Sequence, residues 1–373
     1  MTRRVSLEAA TGRLGIPPVI AAAVPGQERA ARSLAAALRS PVHAYLLVGP
    51  PGTGTDDGAL AFAAALVCPD GGCGRCGACR DAVARRHPDV SVVERSGAAI
   101  LVEDARRAVA LAQRGPAVAR RQVVVLTDLH LVGLAAPVLL KSVEEPPATT
   151  IFVLTAESVT PGLVTLASRC VQVDFVLLDP ESIEAVLVAE GLTAEDAARA
   201  AAVAGGRVDR ARLLARDPGA AERQARWRAV PARLDGTGAT VSVLADELLA
   251  SADELVAVVR GRQAEELEAA TAAAVSAGER QLPGRAAIEE RHKREQRRVR
   301  TDELHAGFAT LAAAYRRRLL AEELSPRRLS AAARAVDAVG AASAALSRNP
   351  NEALLLEALL LELDSSGEQV TRR

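Results

Sequence analysis

Two groups of residues in this chain have the types and spacing for chemistry. The first is Cys68, Cys73, Cys76 and Cys79, four of the five cysteines, closing on the glycine-rich run PDGGCGRCGAC. Four soft thiolates, with glycines that let the backbone wrap an ion, form the donor set of tetrahedral zinc. With no coordination position left open, such a zinc is structural rather than catalytic. His87 is a reserve ligand. A redox Cys-x-x-Cys is the alternative, but it normally opens a helix in a thioredoxin-like unit, and a cluster of four favours metal. The fifth cysteine, Cys170, reads as a small buried residue at a strand start.

The second group is a loop, Gly49-Pro50-Pro51-Gly52-Thr53-Gly54-Thr55-Asp56, set between an apolar run and an alanine-rich one. A phosphate loop reads G-x-x-x-x-G-K-[ST]; its backbone N–H groups cradle phosphates, its Lys neutralises them and its hydroxyl holds Mg²⁺. Gly49, Gly52 and Gly54 keep the shape. Thr55 stands at the Lys position and Asp56 at the hydroxyl position, so a carboxylate replaces the cation where phosphates would sit. Tight ATP binding is not expected. A second apolar run, Val123–Leu126, ends in Thr127-Asp128. An ATPase of this kind needs acidic groups there for metal and water, and only Asp128 is acidic. Both places are degraded in the same direction, so hydrolysis of ATP by this chain is not expected.

The elements that position these groups follow from periodicity. β-Branched runs at Ala44–Val48, Val90–Val93, Gln122–Leu126, Ile151–Thr155 and Val171–Phe175 alternate with helical stretches at Gln27–Arg39, Ala59–Val67, Val102–Gln113 and Ala135–Val143. That alternation predicts βαβ units and a parallel sheet covered on both faces. After Phe175 the strand signals stop. Short helices are expected to Asp217, with breaks at Gly191 and Gly205-Gly206 and a hinge at Pro218-Gly219. The rest reads as helix, broken near Gly236, Gly278–Gly284, Ser325-Pro326 and Asn349-Pro350. The expectation is therefore α/β followed by all-α: a nucleotide-binding-like domain over 1–178 with the cysteine insertion at 68–79, a helical lid over 179–218, a helical domain over 219–364, and a disordered tail over 365–373.

Composition limits the partners. The 373 residues carry 46 basic and 46 acidic side chains, 49% hydrophobic residues and 2% aromatics. Zero formal charge argues against a coat of nucleic acid held by bulk positive charge, and so few aromatics argue against a base-stacking platform. The first residues hold no run fit for a signal peptide, and no uninterrupted apolar stretch of membrane-spanning length occurs, so a cytoplasmic protein without a membrane is expected. Lys occurs only at 141 and 293, which leaves 44 Arg. No function is read into a lone Arg on that background.

Several segments converge in order: Val24-Pro25-Gly26-Gln27-Glu28, the altered phosphate loop, the cysteine insertion, His87-Pro88-Asp89-Val90, Leu139-Leu140-Lys141-Ser142-Val143-Glu144-Glu145-Pro146-Pro147 and Ser168-Arg169-Cys170. Together they resemble the clamp-loader branch of the AAA+ proteins of bacterial DNA polymerase III, over about residues 20–215. The resemblance implies an AAA+ domain, a lid and a helical collar that closes a hetero-oligomeric ring with motor (gamma/tau) and delta subunits. It implies indirect work on the sliding clamp and backbone contacts to primer-template DNA. It also implies that Arg169 is an arginine finger reaching a neighbour's ATP, where it would offset charge developing on the transferred phosphoryl group. Gly205-Gly206-Arg207 resembles a nucleotide-sensing lid element reduced to packing. Glu144 and Glu145 read as the end of a helix stopped by Pro146.

Arg285–Arg300 holds seven basic and three acidic residues. A solvated helix face is the plain reading. Arg106 and Arg107 are candidates for DNA phosphates, and the apolar face of Ala353–Leu363 for collar contacts. Two other readings stand beside this one: an ATP-hydrolysing motor with an unusual loop, and a zinc-dependent DNA-binding module carrying a dead nucleotide fold.

Overall fold

The computed structural model describes residues 15–95, 99–276, 278–282, 284–319, 326–346 and 350–371. Most of the segment read for a signal peptide, residues 1–14, lies outside them. Two compact units make up the chain, Met1–Ala215 and Arg216–Arg373.

The first unit is built on five parallel strands: β1 (Ala44–Val48), β2 (Val90–Val93), β3 (Gln122–Leu126), β4 (Thr150–Ala156) and β5 (Val171–Asp174), in the order β2-β3-β4-β1-β5. Leu46 lies opposite Leu154 on one side and Gln172 on the other. Successive side chains on a strand point to opposite faces, and each face has its own core. Tyr45, Leu47, Val123, Val125 and Val153 pack with α1 (Pro18–Ala23), α2 (Glu28–Arg39) and α3 (Thr55–Val67). Ala44, Leu46, Val124, Leu126, Phe152 and Leu154 pack with α5 (Val102–Ala112) and α6 (Ala136–Glu144). Between α3 and β2 lies α4 (Gly77–Val83), and before β5 a short α7 (Val164–Ala167). With few aromatics available, α3 is buried through alanines at 59, 61, 63, 64 and 65, small enough to bring helix and sheet close, and Tyr45 meets Phe62 edge-on at 4.8 Å.

Three short helices follow: α8 (Pro180–Ala189), α9 (Ala194–Val203) and α10 (Val208–Ala215). Asp179 and Thr193 cap the first two through the N–H groups of Ser182 and Asp196, at 2.7 and 3.1 Å. These helices of the expected lid pack within the first unit. The N–H of Leu178 donates to Gly206 at 2.9 Å, and a Cβ on Gly206 would lie 2.6 Å from that of Leu177.

The second unit is helical: α11 (Ala220–Arg233), α12 (Gly238–Ser276), α13 (Arg285–Leu319), α14 (Pro326–Leu346) and α15 (Glu352–Thr371). Its core joins Trp227, Leu244, Leu248, Phe308, Leu311 and Leu360. α14 is long and apolar enough by composition to cross a membrane, but its Ala335, Val339, Ala342 and Leu346 belong to this core. The helix α15 runs through Thr371, into the residues read as a disordered tail, as adding a residue to an existing helix needs no new nucleus.

Candidate functional site

The C-terminal ends of β1, β3 and β4 converge where an open parallel sheet binds ligands. The phosphate loop leaves β1 here. Gly52 and Gly54 take positive φ, 79° and 94°, and Gly54 caps the start of α3. The loop is tied down by its own chain. Gln27, nearly fully buried, donates to the carbonyls of Thr53 and Val176 at 3.2 and 2.7 Å and accepts from the N–H of Val176 at 3.2 Å. The Thr53 hydroxyl donates to Pro50 at 2.7 Å.

Asp56 lies in the first turn of α3 and accepts the Thr155 hydroxyl at 2.7 Å. Its carboxyl is recessed rather than enclosed, still solvent-accessible but crowded by protein. Desolvation pushes its pKa above the ordinary Asp value; Thr155 opposes this, and the charges of Asp128 and Asp57 add to it. Thr127 is buried, and Asp128, at φ 61°, accepts from Arg95 Nε at 2.8 Å. Arg207 comes from the other side. A Cβ on Gly52 would sit 2.2 Å from its Nε, so the guanidinium lies flat on the loop while Asp209 accepts from it at 2.9 and 3.2 Å. The loop therefore meets a cation from the lid that is already paired, beside a carboxylate that repels phosphate.

Arg169 sits elsewhere. It precedes Val171, which pairs with Tyr45 near the start of β1, whereas the phosphate loop follows the end of β1. At about 3.3 Å per residue this places Arg169 roughly 20 Å along the strand direction from the loop of its own chain. Its Nη1 donates to Thr165 O at 2.9 Å and to Ser168 Oγ at 3.4 Å, and its Nε lies 3.1 Å from Glu144 Oε2. Glu144 also borders an open cavity of about 280 Å³, lined by His43, Arg121, Glu145 and Pro146, at the N-terminal edge of β1 and β4. The neighbouring Cys170 is pushed up to about 12 by burial.

The four clustered cysteines converge. Their Sγ atoms all lie within 4.8 Å of one another, with Cys68 3.8 Å from Cys73 and 3.7 Å from Cys76. Four sulfurs about 2.3 Å from a tetrahedral zinc are about 3.8 Å apart, so the donor set fits one ion. Backbone N–H groups of Arg75 and Cys76 lower the Cys73 thiol to about 6, toward the thiolate a metal needs, while burial raises Cys79. The N–H of Val19 donates to Gly72 at 3.2 Å and docks the insertion on α1. His87 does not join the cluster: its Nδ1 accepts from the Asp89 N–H at 3.1 Å, which orients it within its own turn.

Comparison with known proteins matches residues 26–179 to a family described as DNA polymerase III, delta subunit. The delta-prime subunit of DNA polymerase III from Pseudomonas aeruginosa is 39% identical over 137 residues, covering 35% of this chain and 42% of that one. The gamma/tau subunit from Mycobacterium bovis is 33% identical over 192 residues, covering 48% and 33%. Over residues 26–179 the chain is similar to subunits of DNA polymerase III. The chain spans less than half the length of either relative. A gamma-subunit-related protein of Thermotoga maritima aligns over 91% of this chain and 99% of its own, at 14% identity and a TM-score of 0.42.

Several residues do work their sequence positions did not reveal. Asp89 of the His-Pro-Asp segment is almost fully buried and accepts the N–H groups of Ala117, Val118 and Ala119. Burial pushes its carboxyl up, but those three donors hold it below the ordinary range. It thereby fixes the loop that enters β3. Gln27 and Arg207 grip the phosphate loop, and Glu144 contacts Arg169. The signal for Gln27 and Asp89 was a polar residue inside a short Gly/Pro turn. The Arg285–Arg300 stretch is laced with ion pairs, Arg285 to Glu289 at 2.8 Å, Arg291 to Glu266 at 2.6 Å and Arg300 to Glu352 at 2.6 Å, as a solvated face would be. Arg107 pairs with Asp104 at 3.0 Å, and Arg106 lies 3.9 Å from Glu103.

Proposed function

We propose that this chain is a non-hydrolysing, delta-prime-type subunit of a bacterial DNA polymerase III clamp loader. In this reading it closes a cytoplasmic ring with motor (gamma/tau) and delta subunits and helps load the sliding clamp on primed DNA. It binds no ATP tightly and donates Arg169 to the motor subunit beside it. The observation that carries the reading is the division of charge. The phosphate loop has Thr55 and Asp56 where it needs a cation and a hydroxyl, whereas Arg169 stands at the opposite edge of the sheet, out of reach of that loop. An arginine so placed is out of reach of its own loop and is available to a nucleotide held by another subunit. Contacts of the first unit to DNA would be with backbone phosphates, and the second unit would supply the collar.

In isothermal calorimetry the isolated chain is expected to bind ATP no tighter than about 1 mM, a scale set by a few uncompensated hydrogen bonds. Micromolar binding would favour the motor reading instead. For the metal we propose zinc, held by Cys68, Cys73, Cys76 and Cys79, its role limited to bracing the loop before α4. The purified chain is expected to carry about one zinc per molecule, lost with Cys76→Ser. Chelation should lower the melting temperature of the first unit by roughly 5 °C, with the rest of the core holding the fold. A zinc-free preparation, or a melting curve indifferent to chelation, would count against the site.

A further inference from the structure

Glu144 ends α6, and its place before Pro146 explains why the helix stops but not why a carboxylate stands there. We propose that Glu144 is the positioning residue for Arg169, holding one edge of the guanidinium so that the other is presented to the phosphates of a neighbouring subunit. This rests on the reading of Arg169 as a finger in trans.

A guanidinium carries five donors in a rigid planar fork. Here Nη1 is spent on Thr165 O and Ser168 Oγ, and Nε faces Glu144 Oε2 at 3.1 Å. Nη2 donates to nothing among the described residues and is not buried, so one terminal nitrogen stays open to solvent. The platform beneath is firm. Leu139 and Val143 of α6 and Leu166 of α7 are buried in one core cluster, and these helices bring Glu144 and Thr165 to the two sides of the same side chain. An unrestrained Arg loses up to about 2 kcal/mol of rotamer freedom on being ordered. In this chain much of that ordering is complete before a partner docks.

A purely structural pair would look different. The two side chains are 33% and 54% exposed, and a pair so open contributes about 0–1 kcal/mol to stability. The Nε–H is also buried without an aligned acceptor, although the carboxylate is within reach. The contact is thus one of charge, with a hydrogen bond left to form. Catalytic hydrogen bonds are often misaligned in free proteins and tighten in the reacting complex. A small turn of Glu144 on assembly would complete this one. The other charged groups at the cavity, Arg121, His43 and Glu145, leave Glu144 as the one carboxylate there that reaches Arg169 among the described residues.

The test uses complexes reconstituted with motor and delta subunits, clamp and primed DNA, carrying Glu144→Gln, Arg169→Ala or both. Glu144→Gln is expected to lower hydrolysis at the adjacent motor site, at saturating ATP, about 3- to 10-fold, within the lower part of the range of coupling between residues in contact. KM, assembly and the melting temperature should stay as in the parent. The effect should vanish in the Arg169→Ala background, and Glu144→Asp, which keeps the charge, should restore part of the rate. A parental rate with Glu144→Gln while Arg169→Ala is inactive overturns the positioning role and leaves the finger standing. An equal loss in both backgrounds overturns it too, since Glu144 would then act elsewhere. A parental rate with Arg169→Ala overturns the finger reading, and this inference with it.

Discussion

Arg169→Ala, built into the assembled complex, is expected to lower hydrolysis at the adjacent motor site by about 10³-fold or more, the magnitude an arginine finger supplies. The clamp- and DNA-stimulated ATPase of the whole complex should fall by at least the share of that site. The fold should not suffer. The side chain is one-third exposed and its ion pair with Glu144 is worth at most about 1 kcal/mol, so the isolated variant should melt with the parent. Arg169→Lys should not restore the rate, because an ammonium is a point charge without the planar fork that spans two acceptors. The measurement is steady-state ATPase on complexes verified by size-exclusion chromatography. A verified complex with Arg169→Ala and a normal stimulated rate would remove the finger from the account.

A loss of stability rather than activity is expected from Arg223→Ala. Arg223 is 1% exposed in the second unit, bonded to Asp217 and, at 3.2 Å, to Glu303, which are themselves almost fully buried. Burial alone would lower its pKa, but the two carboxylates hold the guanidinium charged beyond its usual range. Removing it takes the cation from between two buried carboxylates, which costs about 3–5 kcal/mol. The melting temperature of that unit should drop by roughly 10 °C. Replacing all three residues by apolar side chains of similar volume should cost far less. An Arg223→Ala chain that melts with the parent at neutral pH would show that the triad is open to water.

Arg169, Arg207 and Arg223 mark how far the sequence could be read. On a background of 44 Arg, only Arg169 was distinguishable, through its neighbours Ser168 and Cys170. Arg207 looked like packing and Arg223 like any other surface charge. Their roles come from Gly52, Asp217 and Glu303, and for Arg207 and Glu303 the partner is remote in the chain. The strands were legible almost to the residue, β4 gaining one at each end and β5 losing one, because alternation and breakers are local signals. The helix after the phosphate loop began at Thr55 rather than Ala59, since a loop glycine in the left-handed region can cap a helix that propensity alone would start later.

The departures from a working ATP site are written in the chain itself. A threonine at 55 cannot neutralise phosphate in any fold, and Thr127 cannot hold a metal as a carboxylate would. The four thiols could be grouped from spacing, since so short a loop keeps them close whatever the rest does. What required the packed structure is which charge answers which. Arg207 lies on the loop, Asp128 is bound to Arg95, and Glu144 steadies Arg169 because sheet and helices bring distant residues within a few ångströms. Interactions between charges decide function only at such separations, and no local pattern in sequence encodes a distance set by the packing of helix on sheet.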